Sequence, residues 1–441
     1  MEEVIIYSIL FGICASIVFL YIKSVQKSSR KVAAKIETAK EEGLFEPVSL
    51  HPVIDLDICI KSSACVKACP EKDILGILQG GGTLINASNC VGHGACFHAC
   101  PVEAITLVIG TEKRGVDLPH VSEQYESNVE GIYIAGELGG MGLIKNSIEQ
   151  GVLAVENMIK AGIPKGGEGY DLIIVGAGPA GIAATLTAKK NGLNFLTIEQ
   201  DTLGGTVFTF PRSKIVMTSP VELPLYGKMK LYDTSKQELL DIWNQALTSN
   251  NIHIQEHTKV ESIVPHKGGF HVLTQKGEQL WAKNVLLAIG RRGTPRKLDV
   301  PGEVSEKVAY RLLEPEQIQG KNVLVVGGGD SAVEAAMLLG TQNNVTLSYR
   351  NDKFSRIKPK NRDNIMAAIE SGQVHPRFNT NVARITSEKV FLTGEGIDGE
   401  LALDNDLVYI FAGGELPTEF LQKAGIEITK RFGYTMKKHA K

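Results

Sequence analysis

The chain has 441 residues, with 47 Lys and Arg against 49 Asp and Glu, for a net charge of −2. That length holds two to four domains, and so balanced a charge excludes a global field that would recruit nucleic acid. Forty-six glycines suit several tight turns of the kind that bind nucleotides.

Val4 to Ile22 is an uncharged apolar run of 19 residues, long enough to span a bilayer as a helix. Glu2 and Glu3 precede it, and Lys23, Lys27, Arg30, Lys31 and Lys35 follow it. The positive-inside rule then predicts a single-pass anchor, residues 1–23, in a bacterial inner membrane, with everything after it cytoplasmic. A cleavable signal peptide needs a basic start and a small-residue cleavage site; this start is acidic. Ser8, Gly12 and Ser16 form a small-residue stripe that admits helix pairing and a homodimer, and Cys14 reads as an apolar packing residue. Residues 24–48, rich in Lys, Ala and Glu, read as a polar helical stalk ended by Gly43 and Pro47.

The remaining six cysteines fall in two matched runs. Cys59-Ile-Lys-Ser62-Ser-Ala-Cys65-Val-Lys-Ala-Cys69-Pro70 is followed by Cys90-Val-Gly-His93-Gly-Ala-Cys96-Phe-His-Ala-Cys100-Pro101. Each resembles the dicluster bacterial ferredoxin pattern C-x2-C-x2-C-x3-C-P, with Ser62 and His93 at the second place. The resemblance implies a small α+β ferredoxin-like domain over 49–110. In that fold the fourth cysteine of each run serves the other cluster. Cys59, Cys65 and Cys100 would hold one cluster with Ser62 at its odd corner. Cys90, Cys96 and Cys69 would hold the second, with His93 at the corresponding corner. Three thiolates support a 3Fe-4S cluster or a 4Fe-4S cluster with a non-cysteine ligand. Zinc remains an alternative, since Cys3His is also a zinc set, and so do buried core cysteines that bind nothing.

Asp171-Leu-Ile-Ile-Val-Gly176-Ala-Gly178-Pro-Ala-Gly181 is an apolar strand entering G-x-G-x-x-G, followed by a helix over 182–191 and a strand over 193–198. Gly176 permits the turn, Gly178 the approach of a pyrophosphate, and Gly181 the close packing of helix on strand. Glu199 closes the next strand, placed to accept hydrogen bonds from an adenosine ribose. Lys321-Asn-Val-Leu-Val-Val-Gly327-Gly-Gly329-Asp-Ser-Ala332 repeats the logic. Its second strand, Val345 to Tyr349, ends in Arg350, not in an acid. Arg350 and Arg356 suit a 2′-phosphate, which favours NADP over NAD.

Residues 170 to 430 resemble the low-molecular-weight thioredoxin reductase family of FAD and NAD(P) flavoproteins. Val285-Leu-Leu-Ala-Ile-Gly290-Arg-Arg-Gly-Thr-Pro295 looks like the exit from the FAD domain and Asp406 to Pro417 like the return. Leu223-Pro-Leu-Tyr-Gly-Lys and Tyr349 to Lys360 look closest to the bacillithiol disulfide reductase branch. The family's closing strand and helix are missing after Phe432, and a matching piece stands upstream: Gly131-Ile-Tyr-Ile-Ala-Gly136-Glu137, then a helix over 145–160. This order reads as a circular permutation, which domains with adjacent termini tolerate. The resemblance implies that Gly136, Glu137, Gly204 and Gly290 also line the FAD site, with Glu137 on the ribityl chain.

The expected fold is therefore α/β: two Rossmann-like domains, for FAD and NADP, plus the ferredoxin-like domain and the N-terminal transmembrane helix. The segments are 111–165, the permuted end of the FAD domain; 170–298, FAD; 299–404, NAD(P); and 405–441, the return. The expected activity passes electrons from NAD(P)H through FAD to iron–sulfur clusters and a partner, or the reverse. The partner would be a ferredoxin, another redox protein such as a cytochrome, or a membrane quinone. No side-chain nucleophile or acid–base pair stands out. Alternatives are a low-molecular-weight disulfide reductase, which needs no cysteine after Cys100, and a redox-sensing membrane scaffold.

Overall fold

A computed structural model of the chain describes all residues except Met1, Val48, Lys72, Pro164, 209–214, 218–219, 230–232, 292–293, 355–356 and 440–441. The chain forms two compact units, residues 1–116 with 431–441, and residues 117–430.

In the first unit, helix α1 runs unbroken over Glu2–Glu41. Its apolar half carries a window of mean hydropathy 2.5 that no part of the protein covers, so it is long and apolar enough to cross a membrane. Its second half differs from the expected solvated stalk. Val32, Ile36 and Ala39 fall on one helical face; Ile36 and Ala39 are buried at 7% and 1% exposure. Val32 lies so close to Gly76 that a Cβ there would meet its Cγ1 at 2.8 Å, and Lys35 pairs with Asp73 at 2.5 Å. The helix is thus docked on the ferredoxin-like fold, and Gly43, at φ +72°, turns the chain out of it.

That fold is built from β1 (His51–Ile54), α2 (Ala64–Ala68), β2 (Leu75–Leu78), β3 (Gly81–Leu84), α3 (Ala95–Ala99) and β4 (Ile105–Ile109). β1 pairs with β4 and β2 with β3, both antiparallel. The last described strand of the chain, Tyr434–Lys437, joins the other side of β4. The sequence reading left it in the FAD return segment.

The second unit opens with β5 (Val116–Pro119), β6 (Ile132–Ile134) and α4 (Ile144–Lys160), then β7 (Tyr170–Val175), α5 (Pro179–Lys190) and β8 (Phe195–Ile198). Strand 279–287 is the pivot of its first sheet. Its first half pairs antiparallel with Gly269–Thr274. Its second half lies parallel between β6 and β7, with Val285 opposite both Ile132 and Ile173. The upstream strand therefore sits in the same sheet as the first Gly-rich turn rather than in a separate small unit. Alternation explains both faces of β6. Ile132 and Ile134 enter one core with Ile173, Val175 and Leu287, while Tyr133 enters the other with Ile174, Leu286 and Met158 of α4. α4 packs on α5 so tightly that any side chain at Gly151 would overlap the carbonyl oxygen of Ala180.

The second sheet is fully parallel, in the order 308–309, 407–410, 322–326, 344–349, 374–378. Leu407–Ile410, expected in the FAD return, pairs with Val323–Val326 and so belongs to this sheet. An apolar run reads the same whichever sheet it enters. The chain leaves at Gly414–Glu415, antiparallel to Thr294–Pro295.

Candidate functional site: two thiol-lined cavities and two dinucleotide turns

The cysteine loops share one backbone plan. Ser62 is flanked by Lys61 and Ser63, both left-handed at φ 58° and 59°; His93 is flanked by Gly92 and Gly94 at φ 75° and 73°. Left-handed non-glycine residues are strained, so the first loop holds in side-chain-bearing residues a shape that the second leaves to glycine. Each loop feeds a five-residue helix, α2 or α3, whose first turn carries Cys65 or Cys96 and whose end places Cys69 or Cys100.

Two cavities result. One is lined by Cys59, Ser62, Cys65 and Cys100 with Ile54, Ile60 and Ile77. The other is lined by Cys69, Cys90, His93 and Cys96 with Pro52 and Leu107. Among the described residues no three His, Cys, Asp or Glu side chains gather around one point as a single ion requires. Thiols that line two separate hollows instead of converging on one point suit two clusters better than one zinc ion. Burial first, then neighbouring Cys90 and Cys69, pushes the Cys96 thiol up to about 12; burial likewise takes Cys90 to about 11. Bare thiolates are disfavoured here, and a cationic iron core reverses that balance. His93 Nε2 lies 3.9 Å from Glu71 Oε1.

In the second unit the first Gly-rich turn meets the carboxyl ends of the parallel strands. Gly176 takes φ +104°. A Cβ on Gly181 would overlap the Gly176 carbonyl oxygen, whereas nothing lies within 4 Å of a Cβ on Gly178. The chain thus packs closely where helix meets strand and stays open where a pyrophosphate would lie. Glu199 is 5% exposed; its carboxylate accepts from the amides of Ala177 at 2.7 Å and Asp201 at 3.0 Å. Burial raises its pKa and those amides oppose the rise. It is therefore a brace for the turn. Gly204 donates to Ala177 at 2.9 Å. Gly136 donates to Gln150 of α4 at 2.8 Å, and Glu137 Oε2 lies 4.0 Å from the Cβ position of Gly290. Glu137 and Gly290 are thus neighbours, as are Gly136 and Ala180 of α5.

The second turn is similar. Gly327 takes φ +138°, Gly329 is open, and Ala332 is fully buried against the sheet. Arg350 is exposed at the end of its strand; Arg356 lies outside the described residues. Sequence reasoning missed Gly328: the Tyr349 ring occupies the space a side chain there would need. The Gly-Gly-Gly run, with an aromatic closing the next strand, is the signal that was available.

Residues 173–439, more than half of the chain, match the pyridine nucleotide-disulphide oxidoreductases. The chain belongs to that family. Residues 51–101 match the 4Fe-4S dicluster domain. Bacilliredoxin reductase Bdr of Bacillus subtilis is 27% identical over 267 residues, 59% of this chain and 82% of that protein. A ferredoxin–NADP reductase of Thermus thermophilus is 30% identical over 254 residues, 55% of this chain and 72% of its own. The solved bacillithiol disulfide reductase Bdr of Bacillus cereus is 26% identical, with TM-score 0.53 over 62% of this chain and 88% of that one. The chain is an NAD(P)H-dependent flavin and iron–sulfur oxidoreductase whose cofactors are FAD, NADP and iron–sulfur clusters.

Proposed function

We propose that this oxidoreductase exchanges electrons between NADPH and a ferredoxin-type protein at a membrane, with Cys59, Cys65 and Cys100 holding one cluster and Cys69, Cys90 and Cys96 the other. The observation that carries the reading is the pair of thiol-lined cavities in the same chain as two dinucleotide turns. When bound, FAD accepts hydride from NADPH and the clusters carry electrons singly. The protein's own part is to bind and orient. The N-terminus of α5 attracts the pyrophosphate, Gly178 leaves it room, and Glu199 braces the turn. The start of α4, which follows Glu137 in the chain, offers a positive helix end that favours negative charge. Arg350 grips a 2′-phosphate.

The name of the Thermus relative, a ferredoxin–NADP reductase, favours a ferredoxin-type partner. The apolar half of α1 favours anchoring, and the basic residues after it favour a cytoplasmic catalytic part. The test is anaerobic full-length protein in detergent, given NADPH and an oxidised bacterial ferredoxin, followed by low-temperature EPR. Reduction of ferredoxin together with new cluster signals is expected. NADPH consumed by a bacillithiol-type disulfide, with cluster signals unchanged, would instead favour disulfide reduction, the reading that the Bdr relatives support.

A further inference from the structure

The end of the chain closes on the helix that serves both cavities. Tyr434–Lys437 pairs with β4, with Tyr434 opposite Ile109 and Lys437 opposite Leu107. Two residues on, the His439 ring lies flat on Phe97, with centroids 3.7 Å apart and planes 5° from parallel. Its Nδ1 is 3.7 Å from Glu103 Oε1. Lys437 Nζ stands 5.3 Å from the Phe97 ring centroid and 3.4 Å from His98 Nε2. Phe97 and His98 lie in α3 between Cys96, which faces the second cavity, and Cys100, which faces the first.

A sheet-edge cover needs only the strand; it does not need a ring stacked beyond it. His439 Nε2 is buried without a hydrogen-bond partner, an arrangement that costs stability. The stack with Phe97 therefore holds the imidazole in place, not the hydrogen bonding of its far nitrogen. Phe97 itself is 3% exposed, and the stacked ring is part of what keeps water from it.

We propose that His439, with Lys437, is a positioning residue for both iron–sulfur clusters. The tail clamps α3 so that Cys96 and Cys100 present their thiols to opposite cavities. Outer groups that fix a metal ligand commonly change metal retention by 10–100-fold.

The experiment compares full-length wild type, His439→Ala and His439→Phe, prepared anaerobically in detergent. Two readouts serve: iron released to a ferrous chelator on admitting air, and the EPR spectra of dithionite-reduced protein. His439→Ala is expected to release iron about tenfold faster and to perturb both cluster signals. His439→Phe keeps the stack, removes the unpaired nitrogen, and is expected to match wild type in both readouts. The proposal is overturned if His439→Ala releases iron at the wild-type rate, or if His439→Phe is as labile as His439→Ala. Should His439→Ala also lose its flavin, and so report general unfolding, His439→Phe against wild type decides.

Discussion

Lys283 Nζ and Asp171 Oδ1 pair at 2.7 Å, with the two side chains only 12% and 2% exposed. Asp171 is the second residue of β7, and its oxygens also accept from the amides of Gly166 and Asn194, both at 2.9 Å. Gly166 belongs to the glycine-rich joint between α4 and β7, so this buried pair fastens the joint to the sheet. Burial opposes ionisation of Asp171, but Lys283 and the two amides outweigh it and hold the carboxyl below its usual range. Such a group stabilises the fold fully above its unfolded pKa and loses that contribution as pH falls through the folded value. Asp171→Asn removes the negative charge opposite Lys283, which keeps its hydrogen bond to the Gly166 carbonyl, and is expected to destabilise the fold at neutral pH by about 3 kcal/mol. Melting curves between pH 7 and 3 check this. The variant's stability should fall less steeply toward acid than wild type, and parallel curves would refute the assignment.

The two glycines of the first turn are expected to fail differently. A side chain at Gly181 overlaps the Gly176 carbonyl, so Gly181→Ala should lower both melting temperature and flavin content. Gly178→Ala meets no protein atom within 4 Å. It should leave the melting temperature of the flavin-free protein unchanged while weakening FAD binding at least tenfold, roughly 1.4 kcal/mol, because the methyl occupies the pyrophosphate's place. Flavin titration beside calorimetry separates the two effects.

Crossed ligation predicts how single cysteine substitutions group. Cys59→Ser, Cys65→Ser and Cys100→Ser should abolish one EPR signal, and Cys90→Ser, Cys96→Ser and Cys69→Ser the other. Each should remove about half of the iron. If Cys69→Ser grouped with its sequence neighbours Cys59 and Cys65, the crossed arrangement would be wrong.

Arg350 stands exposed at the end of strand 344–349. Its replacement by Ala should raise KM for NADPH about tenfold, the loss of one charge-assisted phosphate contact, and leave KM for NADH unchanged. Equal effects on both nucleotides would remove the 2′-phosphate assignment.

The legibility of this chain differs by element. The doubled cysteine spacing marked each loop and helix because these are local, while the crossing of Cys69 and Cys100 to the opposite cavities is long-range and was legible only through the ferredoxin resemblance. The strand 132–134 was readable because Gly131-Ile-Tyr-Ile-Ala-Gly136 resembles the closing strand of the flavoprotein family, and its burial on both faces accounts for the apolar run. Three features were not readable. Val32, Ile36 and Ala39 form too short an apolar row in a highly charged helix to announce a docking face. Leu407–Ile410 suits either parallel sheet. Tyr434–Lys437 is half exposed, and nothing in four residues encodes a partner more than 300 positions away.

That last pairing orders the life of the protein from synthesis onward. Translation at about 5–20 residues per second puts tens of seconds between emergence of the second cysteine loop and emergence of the strand that flanks β4. Throughout that interval the thiols of a nascent chain stand in an unfinished sheet, reachable by whatever delivers iron and sulfide. A chain lacking Tyr434–Lys437 is expected to keep its flavin half and to leave the β4 edge of its cluster half unpaired.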